Sequence, residues 1–401
     1  MRLLLYKILV LIILIFGVRS VDAQSVQLSD SAKISLLTNT PWDGAIYALF
    51  GHTAIRICDQ PNNIDLAFNY GLFDFNSQDF MYRFVKGKTD YSVGAIQLNR
   101  YLFDYQMKGV GIKEQILNLS QSGKQNLYDA LINNCLPQNR IYRYNYFYDN
   151  CTTRARDMIE NNIVGSVIYD ENNKGKFLTY RKLVHECVDS QPWVRFGIDL
   201  VIGADADKPI TERQEHFLPA YLMRAFDRAV IENPDGSTRK LVQSEYNLLE
   251  PTSQSNGFTI VDYPLFYGII LLTVSILVSY LSYFKKKKAL GKFFDTLLFL
   301  SAGIAGSIIF FLMYFSIHPC TNPNWNLVWL NPVQLVFAFL FLIKFFSKSV
   351  YYYHFINFVL LIVFLLAWFL IPQYLELAFI PYILTLVVRS GVNVLEYRSN
   401  K

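Results

Sequence analysis

One cysteine in this sequence occupies a position suited to nucleophilic chemistry. Cys151 follows residues 141–148, whose tyrosines alternate as on one face of a strand, and it precedes an apolar pattern typical of a helix. A helix N-terminus favours a thiolate and offers free backbone N–H groups to an oxyanion. The same spacing also fits an inert cysteine buried under the strand, and this alternative stays open.

Charged and polar residues flank Cys151 on both sides. Arg154 and Arg156 fall within the first turns of the predicted helix, where their positive charge would favour a thiolate or an anionic substrate. Asp149 and Asn150 are both suitable N-cap residues. The segment therefore predicts an activated thiol at a capped helix start.

A thiol nucleophile needs a base, and His52 is the best placed of the five histidines. It follows Gly51 and opens a predicted strand over residues 52–58. Cys58 is an unsuitable partner for His52, because six residues along a strand span roughly 20 Å. The alternative histidines lie in predicted helices or at a membrane boundary: His185, His216 and His354.

A catalytic imidazole also needs a group that fixes its tautomer. The next predicted strand, over residues 65–70, offers Asn69, whose side-chain carbonyl would accept from the ring N–H. Asp65 and Asp74 are nearby rivals, and Asn69 also fits the role of a turn cap.

Composition excludes several classes of protein. The 401 residues carry a net charge of +5, and they are 52% hydrophobic and 16% aromatic. This composition is too apolar for a disordered or nucleic-acid-binding chain. Five cysteines without CxxC spacing favour neither a disulfide scaffold nor a metal site. No cofactor is therefore expected.

The N-terminus predicts export. Residues 1–23 have two basic residues, a short apolar run and a small-residue end, as in a signal peptide. An uncleaved anchor is the alternative, although the run is shorter than the roughly 20 residues that a span needs. Residues 24–250 would form one exported N-terminal domain, joined by a polar linker at 251–262 to the membrane segments.

Five apolar segments follow the linker and predict an all-α transmembrane domain over residues 263–390, with a cytoplasmic tail at 391–401. They lie at 263–284, 293–317, 327–346, 353–372 and 374–390. Three groups of basic residues fall on one side of these spans: Lys285 to Lys288 with Lys292; Lys344 with Lys348; and Arg389, Arg398 and Lys401. The positive-inside rule makes that side cytoplasmic.

Residues 318–331 would then share the outer face with the N-terminal domain. His318 and Trp325 lie in this loop and could touch a lipid headgroup or a substrate. An interfacial belt with helix caps explains the same residues.

Alternation and turn residues predict an α+β fold for the N-terminal domain. Strands are expected at 46–49, 52–58, 65–70, 91–98, 112–119 and 141–148, and helices at 122–133, from 151 onward and over 212–231. A turn is expected at 233–236.

Four motifs in order carry a resemblance to a known family. They are residues 51–56 (GHTAIR), 68–71 (FNYG), 86–91 (KGKTDY) and 145–154 (NYFYDNCTTR), and together with the five spans they resemble the Lnb family, formerly a domain of unknown function. The resemblance covers essentially the whole chain after the signal peptide.

The resemblance implies a circularly permuted NlpC/P60 papain-like domain, with histidine before cysteine as in lecithin:retinol acyltransferases. It implies lipoprotein N-acylation, with Cys151 as nucleophile and His52 as base. The strand after His52 lacks the second histidine of the retinol acyltransferases, so Asn69 is the candidate third member. Lys86, Lys88 and Tyr91 become candidates for substrate binding, beside Arg154, Arg156, His318 and Trp325.

The implied protein is a multi-pass enzyme of the inner membrane with a periplasmic catalytic domain. Its partners would be a membrane phospholipid as acyl donor and diacylated apolipoproteins as acceptors. Three alternatives differ in class: a membrane-anchored NlpC/P60-like cysteine peptidase or amidase acting on the cell wall, a phospholipase or thioesterase, and a non-catalytic membrane scaffold. Five spans favour a lipid substrate over a wall substrate.

Overall fold

The structure is a computed structural model that describes residues 26–170, 178–252 and 259–399. The predicted signal peptide lies outside these residues. The description that follows concerns these three ranges.

A seven-stranded antiparallel sheet forms the centre of the N-terminal domain, in the order β10-β5-β1-β2-β3-β4-β6. Four predicted strands are confirmed within this sheet, and β1 and β10 were not predicted. The strands are β1 (Lys33–Asn39), β2 (His52–Asp59), β3 (Ile64–Leu72), β4 (Asp90–Gln97), β5 (Ile112–Leu117), β6 (Ile141–Arg143) and β10 (Val242–Leu249).

Helices cover both faces of the sheet. On one face, α3 (Gln121–Cys135) and α4 (Cys151–Asn162) bury apolar side chains such as Leu127 and Ile159 against strand residues such as Ile55. On the other face, α2 (Leu98–Gln106) packs Leu98 and Tyr101 on Ala54 of β2. Helix α1 (Phe80–Val85) lies in the connection from β3 to β4. The predicted α+β class is confirmed.

A helical extension follows α4. It contains α5 (Tyr180–Val188), α6 (Pro192–Val201), α7 (Glu212–Glu215), α8 (Pro219–Arg228) and a small antiparallel sheet of β7 (Ser166–Ile168), β8 (Val230–Glu232) and β9 (Thr238–Lys240). The turn predicted at 233–236 joins β8 to β9, with Gly236 at φ 80°.

Three predictions of secondary structure are wrong. Residues 46–49 form part of a 3-10 helix (Ile46–Phe50), because both edges of β1 are already paired with β2 and β5. The strand predicted at 141–148 ends at Arg143, and just beyond it the Asn145 side chain accepts from the amides of Phe147 and Tyr148 and turns the chain.

The helix predicted over 212–231 is the third error, because it is two helices. Leu218 is extended and Pro219 begins α8. Proline has no N–H and its ring clashes with the preceding turn, so the first helix ends before it.

Among the described residues, the membrane domain has four helices long and apolar enough to cross a bilayer. They are Pro264–Tyr283 (α9), Lys288–Tyr314 (α10), Lys344–Leu366 (containing α12, Ser347–Leu366) and Phe379–Ser399 (α13). The third predicted segment corresponds to a shorter apolar stretch, Trp325–Leu340, which includes α11 (Val333–Leu340). The last helix continues through most of the predicted tail.

Arg389 was assigned to the terminal basic cluster, and this assignment is wrong. It lies inside α13, 1% exposed, and donates to both carboxylate oxygens of Asp295 at 2.6 and 2.8 Å. Ser279 and Asn393 complete this buried polar group. A charge within a helix bundle is stable only when it is paired, so hydropathy alone misplaced this residue.

The outer loop of the membrane domain contacts the N-terminal domain. The distribution of basic residues predicted that the two share one face. Asn326 donates to the Asp199 carbonyl at 2.9 Å, and the Gly203 amide donates to the Cys320 carbonyl at 2.7 Å. At the opposite end, Arg398 donates to Tyr351 near the start of α12. The two domains therefore meet at one face of the helix bundle.

Candidate active site

Cys151 is the first residue of α4, as predicted, and Asn150 is its N-cap. The Asn150 side chain accepts from the Thr152 and Thr153 amides, both at 2.9 Å. The Thr153 hydroxyl in turn accepts from the Asn150 amide. This capping box fixes the start of the helix. The amide of Cys151 is the first N–H of the helix and is not used by the cap, so it is the amide best placed to meet an oxyanion.

His52 begins β2 and contacts the Cys151 side chain. The preceding Gly51 has φ 77°, and a Cβ there would lie 2.7 Å from the Asn39 carbonyl oxygen. Glycine is therefore required where β2 starts. The turn delivers the His52 ring to the end of the sheet, where α4 begins.

Asn69 lies on β3 and completes a Cys–His–Asn arrangement. His52 Nε2 lies 3.1 Å from Asn69 Oδ1, and Asn69 Nδ2 donates to the Ala67 carbonyl at 3.3 Å. Since Nε2 is bound to Asn69, the other ring nitrogen, Nδ1, is left for Cys151. Asn69 is 6% exposed, so solvent does not compete for this bond.

The two rivals of Asn69 are held elsewhere. Asp65 binds Arg56 at 2.8 Å, and Asp74 accepts the Asn76 amide within a turn. Neither carboxylate is bonded to His52.

The electrostatics of the pair favour a thiolate beside an imidazolium. Burial opposes the thiolate, but the facing His52, its hydrogen bond, the Thr53 amide and the Thr152 hydroxyl together lower the pKa of Cys151. Burial also opposes the imidazolium, but Cys151 and the bond to Asn69 outweigh it and raise the pKa of His52. Each group therefore stabilises the charged form of the other.

None of the other cysteines shares this environment. Burial raises the pKa of the thiols of Cys58, Cys135 and Cys320, and raises that of Cys187 to about 12. None of the five cysteines forms a disulfide. Cys151 is thus distinguished by the lowered pKa of its thiol as well as by its position.

The two arginines near Cys151 are engaged by other groups. Arg154 binds both oxygens of Asp149 and lies over the Tyr142 ring, 4.1 Å from its centroid. Arg156 is 7% exposed and is held by Asp157 and the Arg213 carbonyl. The structure does not bring Arg156 to the thiol, and a substrate anion would compete with Asp149 for Arg154.

The other candidate substrate residues surround the contact between the two domains. Tyr91 is buried and stacks on Tyr144 at 4.2 Å, so it lines the core beside the site. Lys88 is exposed, and Lys86 Nζ donates to Tyr82 at 3.3 Å. His318 bonds the Phe84 carbonyl through Nε2 at 2.6 Å, and Trp325 lies in the outer loop with its amide on Gln373.

Sequence reasoning missed several residues that lie beside Cys151 or His52. Thr53 donates its amide to Cys151 and its hydroxyl to Thr152 at 3.2 Å. Tyr105 stacks on His52, with 6.4 Å between ring centroids. Gly71 has φ 88°, and a Cβ there would lie 3.6 Å from that of Cys151. Thr53, Thr152 and Gly71 lie inside the four sequence motifs, and this position was the signal that could have identified them.

The segment that precedes Cys151 contacts the membrane domain. Tyr146 lies five residues before Cys151, and its ring stacks on the His318 ring with 5.2 Å between centroids. His318 also forms a hydrogen bond with the Phe84 carbonyl of α1. Cys151 is thereby held at the outer face of the helix bundle. No group of residues that could hold a metal ion is found within the described ranges.

Comparison with known proteins agrees with this architecture. Residues 20–186 match the Lnb N-terminal periplasmic domain, and residues 254–400 match the Lnb transmembrane domain. No curated protein and no solved structure shows a significant match to the chain. Together the two matched regions span most of the sequence.

Proposed function

Because this chain belongs to the Lnb family, whose domains imply a function like that of a lipoprotein N-acyltransferase, we propose that it transfers a fatty acyl chain through a Cys151 thioester. The donor is a membrane phospholipid, and the acceptor is the N-terminal amine of a diacylglyceryl-cysteine. The observation that carries the proposal is the contact of Cys151 with His52, which Asn69 orients, on a domain joined to a membrane domain.

The first half-reaction acylates the enzyme. The Cys151 thiolate attacks an ester carbonyl of the phospholipid, and the Cys151 amide donates to the resulting oxyanion. The carbon–oxygen bond breaks as His52 gives its proton to the departing lyso-lipid oxygen. The products are an acyl thioester, neutral His52 and a lyso-phospholipid.

The second half-reaction restores the ion pair. The neutral acceptor amine attacks the thioester, and His52 takes the amine proton. The carbon–sulfur bond breaks, which releases the N-acylated lipoprotein and regenerates thiolate and imidazolium. An α-amino group with a pKa of about 7.7–8.0 supplies a useful neutral fraction at neutral pH.

Attachment to the membrane domain serves both steps. Tyr146 and Phe84 hold the catalytic domain on His318, so the thiol lies where both lipid substrates are anchored. Confinement of both substrates to one surface reduces the entropy cost of bringing them together.

A trapping experiment tests this reaction. Purified protein incubated with phospholipid carrying an isotopically labelled acyl chain is expected to carry hydroxylamine-sensitive label on Cys151. The label should move to the amine of an added diacylated lipoprotein peptide. Transfer to water alone would favour a phospholipase or thioesterase, and lipid-independent cleavage of wall peptides would favour the peptidase or amidase.

A further inference from the structure

Three exposed apolar side chains lie on and beside α1. Phe75, Met81 and Tyr82, here called the α1 rim, are 61%, 69% and 57% exposed. Phe80 and Phe84 point the other way, into an aromatic cluster with Phe73. An apolar group of this size on a polar domain is unfavourable in water, so such a surface marks a contact.

The α1 rim is continuous with the outer end of a spanning helix. Lys86 is the residue after α1, and its carbonyl accepts a hydrogen bond from the Ile317 amide at 3.1 Å. Gly87 packs on Ile317. At 1.5 Å per residue, α1 is about 9 Å long, so Met81 lies near the end of α10. The outer end of α10 is itself exposed and apolar, with Tyr314 at 57% and Ile317 at 54%.

Charges of both signs border the rim: Asp74 and Asp79 are exposed before α1, and two lysines lie on the side nearest α10. Lys86 reaches over the Tyr82 ring, with Nζ 5.5 Å from the centroid, and Lys88 is exposed. Arg83 is bound to Asp90 at 2.6 Å. An apolar face bordered by lysines is the pattern of segments that lie at the boundary between headgroups and acyl chains.

A chain of aromatic contacts leads from the rim to the thiol. Phe75 contacts Phe73 at 4.7 Å, and Phe73 contacts Tyr91 at 5.0 Å. Tyr91 stacks on Tyr144, whose ring is 3.8 Å from the Cβ position of Gly71, beside Cys151. A series of packed aromatic rings therefore joins the rim to the surroundings of the nucleophile.

We propose that the α1 rim is inserted in the outer leaflet, so that a bilayer phospholipid meets the protein beside the aromatic rings that pack from Phe75 toward Cys151. The occupant of this surface is bilayer lipid, because the rim is continuous with the lipid-facing end of α10. This inference rests on the proposed function for the fate of the acyl chain. The insertion itself is a separate, physical claim.

Depth measurement tests the insertion directly. Met81→Cys or Tyr82→Cys is combined with serine at the five native cysteines, labelled with an environment-sensitive fluorophore, and placed in phosphatidylethanolamine–phosphatidylglycerol nanodiscs. Lipids spin-labelled high on the acyl chain are expected to quench the probe several-fold more strongly than they quench one at Ile168→Cys. Ile168 is the matched control, because it is 46% exposed on β7 of the small sheet. Equal quenching at 81, 82 and 168 would overturn the proposal.

A second measurement uses the intact enzyme. Met81→Glu and Tyr82→Glu are expected to slow thioester formation from vesicle phospholipid by about tenfold or more, while Ile168→Glu leaves it near the wild-type rate. Rates equal to wild type in both rim variants would overturn the inference but not the proposed function. A wild-type enzyme that forms no thioester, even with a water-soluble short-chain thioester, would instead refute the proposed function, and the quenching result would still stand.

Discussion

His52 Nε2 lies 3.1 Å from Asn69 Oδ1, and this bond leaves the other ring nitrogen of His52 for Cys151. The two residues are on adjacent strands, β2 and β3, and Asn69 pairs in register with Ala54, two positions from His52. The antiparallel register therefore sets the orientation of the imidazole before any substrate binds.

The pKa shifts of Cys151 and His52 predict the pH dependence of alkylation. Because His52 and the Thr53 amide lower the pKa of Cys151, iodoacetamide should modify Cys151 faster than the other four cysteines at neutral pH. The rate should fall as pH drops through the lowered pKa, since the thiolate is protonated there. His52→Ala should move the midpoint of this profile upward. Mass spectrometry of the modified peptides measures the site and rate, and an unchanged midpoint would contradict the effect of His52 on the pKa of Cys151.

Substitution of the three residues should separate their roles. Cys151→Ser should abolish thioester formation, and His52→Ala should lower the rate by about 10²–10⁴-fold, because the proton donor and acceptor is lost. Asn69→Ala should cost only about tenfold or less, as expected for one orienting hydrogen bond.

The matched controls for these variants are the serine substitutions of Cys58, Cys135, Cys187 and Cys320, which should have mild effects because these residues have no such partner. Circular dichroism checks that each variant is folded. Full activity in Cys151→Ser would eliminate the thioester mechanism.

Gly71 should be required for both conformation and access. Gly71→Ala places a Cβ at φ 88°, which costs about 1–3 kcal/mol of stability, and sets it beside Cys151. Gly236→Ala is the control, because its φ of 80° is similar and a Cβ there meets no atom within 4 Å. Both variants should melt at lower temperature, but only Gly71→Ala should also lower the rate of Cys151 acylation. Equal rates in the two folded variants would show that Gly71 has a conformational role alone.

The buried pair in the membrane domain should be strongly coupled. Removal of one charge by Arg389→Met leaves Asp295, which is 2% exposed, without its main partner and should destabilise the protein by about 3–5 kcal/mol. The double variant Asp295→Leu with Arg389→Met should recover much of this loss. Thermal unfolding of the four proteins in one detergent completes the cycle, and additive effects would rule out the coupling.

Orientation can be tested in spheroplasts. An introduced cysteine at Lys286, in the turn between α9 and α10, should resist a membrane-impermeant maleimide until the cells are lysed, because the basic end is cytoplasmic. A cysteine at Ile168, which is exposed on β7, should be labelled in intact spheroplasts when both variants lack the native cysteines. Labelling of position 286 before lysis would invert the topology.

The sequence by itself determined the parts of this protein that depend on local pattern. The start of α4 at Cys151, the strands β2 to β5 and the division into a soluble and an apolar region follow from periodicity, capping and hydropathy, which act over a few residues. The clustering of basic residues likewise predicted that the outer loop and the N-terminal domain share one face. The motifs identified the family before any contact was known.

Only the tertiary structure decided which distant residues meet. Only the register of β2 with β3 could distinguish Asn69 from Asp65 and Asp74 as the partner of His52. In this register Asp65 forms a salt bridge with Arg56, and Asn69 forms a hydrogen bond with His52. The burial of Arg389 depended on Asp295, which lies 94 positions away in the chain. Residues 46–49 became a 3-10 helix because β1 was already paired on both sides. Each of these outcomes depends on partners brought from elsewhere in the chain, and a local pattern carries no information about them.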